Sequence, residues 1–152
     1  MNHTEDFDTR NSSKKDYAED KCKEYFKEKN ITWTQFGFDC RHTFRNEFYK
    51  INQTLRSKPD FMVISKGQPI MVECKGFKDE LKLKVYDIQA YDWWTQFHPL
   101  SCFLYHPSTD EHFVVSYKAL KATALKCETG RYDDSKKVYY KIPIDIVRSF
   151  NH

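Results

Sequence analysis

Glycine is scarce in this chain, and cysteine follows no pattern typical of a disulfide framework or a zinc site. Only 4 of the 152 residues are glycine while 16% are aromatic, a composition that excludes a low-complexity or disordered chain. The 5 cysteines include no CxxC pair, which argues against a zinc ribbon. Unpaired cysteines are typical of a reducing compartment, so we expect an intracellular, cytoplasmic protein, in the host cytoplasm if it is viral.

Long apolar runs are also missing. No stretch approaches the roughly 20 apolar residues that a membrane-spanning helix needs, and the polar N-terminus has no secretory signal. We therefore expect a soluble protein with no membrane partner. Lys and Arg outnumber Asp and Glu by 25 to 22, a net charge of +3, which permits a nucleic-acid partner without requiring one.

The length favours a single domain with its own core. We expect residues 1–12 to form a flexible N-terminal tail and residues 13–152 to form that domain. Ser12 or Ser13 can cap a helix over residues 14–30, where apolar residues recur at helical spacing, and Asn30 is a plausible end for it.

Strand patterns follow this helix. Apolar and polar residues alternate over residues 31–44 with one interruption, which predicts a strand with a bulge near Gly37. Residues 47–55 form either a second strand or an irregular piece. The apolar runs Phe61–Ile64 and Pro69–Lys75 then flank a short glycine-containing turn, a pattern that predicts a β-hairpin.

The second half of the chain alternates between helix and strand patterns. We expect a helix over residues 79–97, strands over 101–106 and 112–116, a short helix over 117–127, and a strand followed by a helical turn over 136–150. The whole order predicts an α/β fold on the border of α+β, in which helices flank a central mixed sheet.

Charged residues stand at the edges of the predicted hairpin. Glu73 and Lys75 share one strand face because side chains two residues apart point the same way. Asp60 opens the preceding strand and lies across from them in an antiparallel pair. Two neighbouring carboxylates favour a hard cation such as Mg²⁺ or Mn²⁺, and a nearby ammonium can orient a water for attack on a phosphodiester.

Pro59-Asp60 and the downstream Glu73-Cys74-Lys75 resemble the motif of the PD-(D/E)xK nuclease superfamily. The resemblance implies a restriction-endonuclease-like sheet. It also implies that Asp60 and Glu73 bind the metal, that the backbone carbonyl of Cys74 adds a ligand, and that Lys75 assists the attacking water.

Two further positions match patterns in branches of this superfamily. Some branches add a metal-binding Glu from the first helix, and Glu19 occupies that place. Asp16, Asp20 and Glu24 are its rivals. Other branches place a catalytic Gln on the helix after the motif, where Gln89 lies here. One branch also has a Tyr four residues later, whereas this chain has Trp93.

Lysines near the motif are candidates for DNA contacts. Lys78, Lys82 and Lys84 follow it directly and are assigned to DNA binding, and further lysines could extend a phosphate-tracking surface: Lys14, Lys15, Lys136, Lys137 and Lys141. Ordinary solvated faces explain these lysines about as well. Trp93 and Trp94 could stack on bases, but we expect at least one of them in the core.

These expectations combine into a Mg²⁺- or Mn²⁺-dependent DNA endonuclease. The resemblance favours a structure-directed enzyme, such as a Holliday-junction resolvase or related recombination nuclease acting on branched DNA, and it allows a homodimer. The alternatives are a restriction-type endonuclease, a DNA exonuclease, and a non-catalytic nucleic-acid platform. The alternative without any catalytic role is a Pro-Asp turn followed by a surface Glu-Lys pair on a half-exposed strand.

Overall fold

The computed structural model of this chain describes residues 17–38 and 45–150. The expected tail over residues 1–12, the capping serines, Lys14, Lys15 and Asp16 lie outside these residues, as does the end of the strand expected up to residue 44. The described chain has the expected mixed α/β architecture, with one five-stranded mixed sheet, one three-stranded sheet and flanking helices.

The elements alternate between helix and strand along the chain. Helix α1 occupies residues 17–28, and a 3-10 helix covers Arg45–Lys50. The other helices are α2 Gln53–Arg56, α3 Val85–Trp94, α4 Tyr117–Ala124 and α5 Ile144–Ser149. The strands are β1 Thr32–Gln35, β2 Phe61–Ser65, β3 Gln68–Gly76, β4 Glu80–Lys84, β5 Leu100–His106, β6 Glu111–Ser116, β7 Thr129–Arg131 and β8 Val138–Pro143.

The larger sheet has the order β1-β2-β3-β5-β6. Its central strands β3 and β5 are parallel, while every other neighbouring pair is antiparallel. The hairpin of β2 and β3 is confirmed, with Ser65 paired to Gln68 around the two-residue turn. Lys66 and Gly67 both have positive φ, as a tight turn between twisted strands requires.

The two faces of this sheet carry separate apolar clusters. Ala18, Cys22 and Phe26 of α1 pack with Val72 and Cys74 on one face, which confirms the predicted apolar stripe of the first helix. Asn30 follows that helix with φ of 54°, a left-handed conformation that asparagine tolerates well.

The other face of the sheet packs against α3, α4 and the smaller sheet. Met71 and Leu104 of the larger sheet belong to one cluster with Leu81, Leu83 and Ile142 of the smaller one. The smaller sheet has the order β4-β8-β7 and is antiparallel throughout. The two sheets therefore share a core.

The prediction of one long helix over residues 79–97 is wrong in its first part. Residues Glu80–Lys84 form strand β4, and the helix begins at Val85. Leu81 and Leu83 are both buried while Lys82 between them is exposed. This two-residue alternation belongs to a strand whose partner, β8, comes almost sixty residues later along the chain.

Residues 47–55 adopt the irregular alternative rather than a strand. They contribute to the 3-10 helix and to the short helix α2, whose first turn is capped by the Asn52 side chain accepting from the Thr54 amide at 2.9 Å. The later strands and helices appear as expected. Strand β7 is an addition that the sequence did not predict.

Candidate active site

The hairpin brings Asp60 to the backbone of the predicted ExK segment. Phe61 pairs with Val72, and continuing this register by one residue places Asp60 opposite Glu73. The Asp60 carboxylate accepts a hydrogen bond from the Cys74 amide, with 2.8 Å between Oδ2 and N. Asp60 therefore contacts the peptide that joins Glu73 to Cys74.

The backbone of Asp60 is fixed as well. Its carbonyl accepts from the amides of Phe36 and Gly37 at 2.8 and 3.1 Å, the two-against-one arrangement of the predicted bulge. A Cβ at Gly37 would lie 2.7 Å from the Lys58 carbonyl oxygen, closer than real contacts allow. A residue without a side chain is thus required where β1 approaches Asp60.

Both carboxylates of the motif are buried. Asp60 is 3% exposed and Glu73 is 4% exposed, and burying an ionised carboxylate is costly unless it is hydrogen-bonded, paired or bound to a cation. Glu73 accepts a hydrogen bond from the Tyr91 hydroxyl of α3. Burial and the neighbouring Glu73 charge raise the pKa of Tyr91 well above its usual value, which keeps the hydroxyl protonated as a donor.

Lys75 lies on the same face of β3 as Glu73. Its Nζ is 3.5 Å from Oδ2 of Asp87 and 5.6 Å from the centre of the Tyr91 ring. The Lys75 and Asp87 side chains are each 16% exposed, so solvent screens this ion pair only partly. Helix α3 thus contacts both charged residues of β3 through residues one turn apart.

The cysteine thiols around the motif stay protonated. Burial raises the pKa of Cys102 to about 12, with the Glu73 and Asp60 charges adding to the rise and Lys75 opposing it. Burial and a hydrogen bond with Cys22 raise the pKa of Cys74 well above its usual value. Cys74 therefore offers the site its backbone groups rather than a thiolate.

Glu19 belongs to the helix on the other face of the sheet. It is 4% exposed and lies on α1, which packs against the face to which Cys74 points. Glu73 and Lys75 point to the opposite face. Of the predicted metal ligands, the structure brings Asp60 to the Glu73-Cys74-Lys75 segment, and Glu19 is buried on α1.

Gln89 lies on α3 two residues from both Asp87 and Tyr91, and therefore on a different side of the helix from them. It is exposed, whereas Asp87 and Tyr91 on the same helix make the contacts to β3. Asp87 and Tyr91 are the residues that sequence reasoning missed. Their spacing of four, a polar and an aromatic residue on one helical face, was the signal that could have found them.

The predicted DNA-binding lysines lie in a loop and on the smaller sheet. Lys78 is exposed in the loop before β4, and its carbonyl accepts from Nε2 of His106 at 2.7 Å. Lys82 and Lys84 lie on the smaller sheet, near tyrosine rings. Trp94 is in the core, as expected for one of the two tryptophans, while Trp93 is 45% exposed.

The candidate metal donors at this site are oxygens. Within residues 17–38 and 45–150, no three or more His, Cys, Asp or Glu side chains are arranged to hold a metal ion. Two carboxylates and a backbone carbonyl still suit Mg²⁺, which commonly takes one or two protein carboxylates and completes its shell with waters and substrate phosphates. The residues Asp60, Glu73 and Cys74 fit that donor chemistry.

None of the helices in the described part of the chain has the length and apolar character needed to cross a bilayer. Comparison with known proteins finds no matching family model, no matching curated protein and no matching solved structure.

Proposed function

We propose that this chain is a metal-dependent nuclease that hydrolyses phosphodiester bonds in DNA at the Asp60, Glu73 and Lys75 site. One observation carries the proposal. A buried Asp60 accepts from the amide of Cys74, between a buried Glu73 and a largely buried Lys75. Keeping three ionisable groups together inside an apolar sheet is costly, and that cost is explained if a cation and a phosphate bind there.

Asp60, Glu73 and the Cys74 carbonyl would hold the Mg²⁺ or Mn²⁺ ion. When bound, such an ion polarises a phosphoryl oxygen and stabilises the charge that develops during hydrolysis. The hydrogen bond from Tyr91 fixes the orientation of Glu73. Asp87 holds the Lys75 ammonium beside the site, where it can orient the attacking water and stabilise developing negative charge.

Within this class we propose a structure-directed endonuclease of the Holliday-junction resolvase type. The resemblance of its motif favours this branch. A restriction-type endonuclease or a DNA exonuclease would use the same site residues, so the preferred substrate distinguishes the three.

The test is a cleavage assay on labelled four-way junction, linear duplex and single-stranded DNA, with Mg²⁺, Mn²⁺ or EDTA. We expect metal-dependent cleavage, fastest on the junction, which Glu73→Ala abolishes and Lys75→Ala slows by about 10² to 10⁴-fold. Lys66→Ala, in the exposed hairpin turn, is the matched control and should cleave as wild type does. Lack of cleavage on every substrate would reject the nuclease.

A non-catalytic nucleic-acid platform is the second candidate. The hydrogen bond between Tyr91 and Glu73 and the ion pair between Lys75 and Asp87 favour it, because they compensate the buried charges within the protein itself. This candidate predicts DNA binding without cleavage and without a change in metal affinity when Glu73 is replaced.

A further inference from the structure

The outer face of the smaller sheet carries lysines packed on tyrosine rings. In the register of β4 and β8, Lys82 lies opposite Lys141 and Lys84 lies opposite Tyr139. Continuing that register by two residues places Tyr86, the second residue of α3, opposite Lys137. We call this surface the Lys-Tyr face, made of Lys82, Lys84, Lys137 and Lys141 with Tyr86, Tyr132 and Tyr139.

The tyrosine rings hold the lysine ammonium groups in place. Lys82 Nζ lies 5.1 Å from the centre of the Tyr139 ring and 5.4 Å from that of Tyr132. Lys84 Nζ lies 5.5 Å from the Tyr132 ring, and Lys137 Nζ lies 4.5 Å from the Tyr86 ring. These are cation–π distances, and the two rings near Lys82 pack on each other, with 4.5 Å between their centres.

This arrangement concentrates positive charge where a sheet usually avoids it. Like charges directly opposite on neighbouring strands repel each other, yet Lys82 and Lys141 occupy such a pair. Neither lysine forms an ion pair with another residue in the described part of the chain. Acidic residues border this face: Glu80 lies at the far end of β4, and Asp133 and Asp134 follow Tyr132 in the turn before β8.

The Lys-Tyr face leads to the candidate active site. It runs from Lys82 and Lys84 on β4 to Tyr86 at the start of α3. Asp87 follows Tyr86 directly and pairs with Lys75. A polyanion lying along the Lys-Tyr face would therefore be directed toward Lys75 and Glu73.

We propose that the Lys-Tyr face binds the sugar-phosphate backbone of one DNA strand and presents that strand to the candidate active site. The identity of the ligand as DNA rests on the proposed nuclease function. Lysine ammonium groups recognise phosphates without reading sequence, and aromatic support orders them before binding. Tyr139 is itself buried, so it supports the lysines and does not stack on bases.

The test measures binding of a fluorescein-labelled single-stranded oligonucleotide by anisotropy, in EDTA so that cleavage plays no part. The test variant is Lys82→Ala with Lys141→Ala, compared across salt concentrations. Losing two phosphate contacts should weaken binding on the order of tenfold near 0.1 M salt and reduce the slope of log affinity against log salt by about 1.4.

Two further variants make the result specific. Lys82→Arg with Lys141→Arg keeps both charges and should bind as wild type does. Lys118→Ala with Lys126→Ala removes two exposed lysines in and beside α4 and should retain both the affinity and the slope. Circular dichroism and thermal unfolding confirm that each variant is folded.

Several outcomes would overturn the proposal. An unchanged slope in the Lys82 and Lys141 variant would do so, as would an equal loss in the Lys118 and Lys126 variant. Competition by polyglutamate as effective as competition by DNA would make the ligand acidic protein instead. If binding depends on Lys82 and Lys141 but no DNA is cleaved, only the nuclease is rejected. If DNA is cleaved but binding does not depend on these two lysines, only the role of the Lys-Tyr face is rejected.

Discussion

Asp87 and Tyr91 determine how the charged residues of β3 are compensated. Tyr91 donates to Glu73, and Asp87 pairs with Lys75 at 3.5 Å. Strand β2 supplies Asp60, strand β3 supplies Glu73 and Lys75, and helix α3 supplies the two residues that contact them. Asp87 is a positioning residue in the proposed reaction, because it acts through Lys75.

We expect Asp87→Asn to slow cleavage about tenfold while DNA affinity in EDTA is retained, because the Lys75 ammonium loses the charge that positions it. The same substitution should lower the free energy of unfolding by about 1 to 3 kcal/mol, between the values typical of exposed and of buried ion pairs. Single-turnover cleavage and urea denaturation measure the two effects.

Asp92→Asn is the matched control for Asp87→Asn. Asp92 lies on the same helix and pairs with Lys121 at 2.8 Å, with side chains 45% and 34% exposed. Asparagine keeps the oxygen that accepts from the Tyr117 hydroxyl at 2.7 Å. Asp92→Asn should therefore lower the free energy of unfolding by less than about 1 kcal/mol, as the loss of an exposed pair does, and leave cleavage unchanged. Equal cleavage rates for the two variants would show that Asp87 does not position Lys75.

Among the secondary-structure elements, local sequence patterns were sufficient to predict the hairpin, whereas strand β4 depends on a partner that is distant in the sequence. The β2 and β3 strands form around a two-residue turn, so alternation and turn residues in one short stretch were sufficient. Asp60, Glu73 and Lys75 could be placed for the same reason. Strand β4 instead depends on β8, and its leucines fit a helical stripe equally well until that partner is known.

The same dependence explains what sequence reasoning missed in the site. The face of α3 that meets β3 is set by the strand that leads into it and by the burial of Ile88, Tyr91 and Trp94. A helix continuing from residue 79 gave no way to choose between Gln89 and its neighbours. Strand β7, only three residues long and containing a glycine, has too weak a pattern to be predicted.

The strand character of β4 predicts that Leu81 and Leu83 contribute alike to stability. Both are at most 1% exposed, whereas a helix would turn side chains two residues apart to different sides. Leu81→Ala and Leu83→Ala should each lower the free energy of unfolding by about 2 to 5 kcal/mol. Urea denaturation measures the loss.

Leu55→Ala is the control for these two variants, because Leu55 is 46% exposed. It should change the free energy of unfolding by no more than about 0.5 kcal/mol, as surface substitutions usually do. A large loss for only one of Leu81 and Leu83 would contradict the strand and favour a helical segment.

In the whole molecule, one shared core supports both the Lys-Tyr face and the candidate active site on β3. The shared cluster of Met71, Leu83, Leu104 and Ile142 holds the smaller sheet against the larger one. It thereby fixes the Lys-Tyr face relative to the site on β3. The homodimer that the motif resemblance allows stays a prediction, and light scattering at several concentrations would reject it if the mass stayed at one chain.

In the proposed nuclease, Asp60 and Glu73 are the oxygen ligands of a divalent cation. Titration calorimetry of Mn²⁺ into the wild type, Asp60→Asn and Lys82→Ala tests this assignment most directly. Asparagine can still accept from the Cys74 amide, so Asp60→Asn removes the charge while keeping the hydrogen bond. We predict that wild type and Lys82→Ala bind Mn²⁺ alike and that Asp60→Asn loses at least about tenfold in affinity. A folded Asp60→Asn that binds Mn²⁺ as wild type does, or a wild type that binds none, would contradict this assignment.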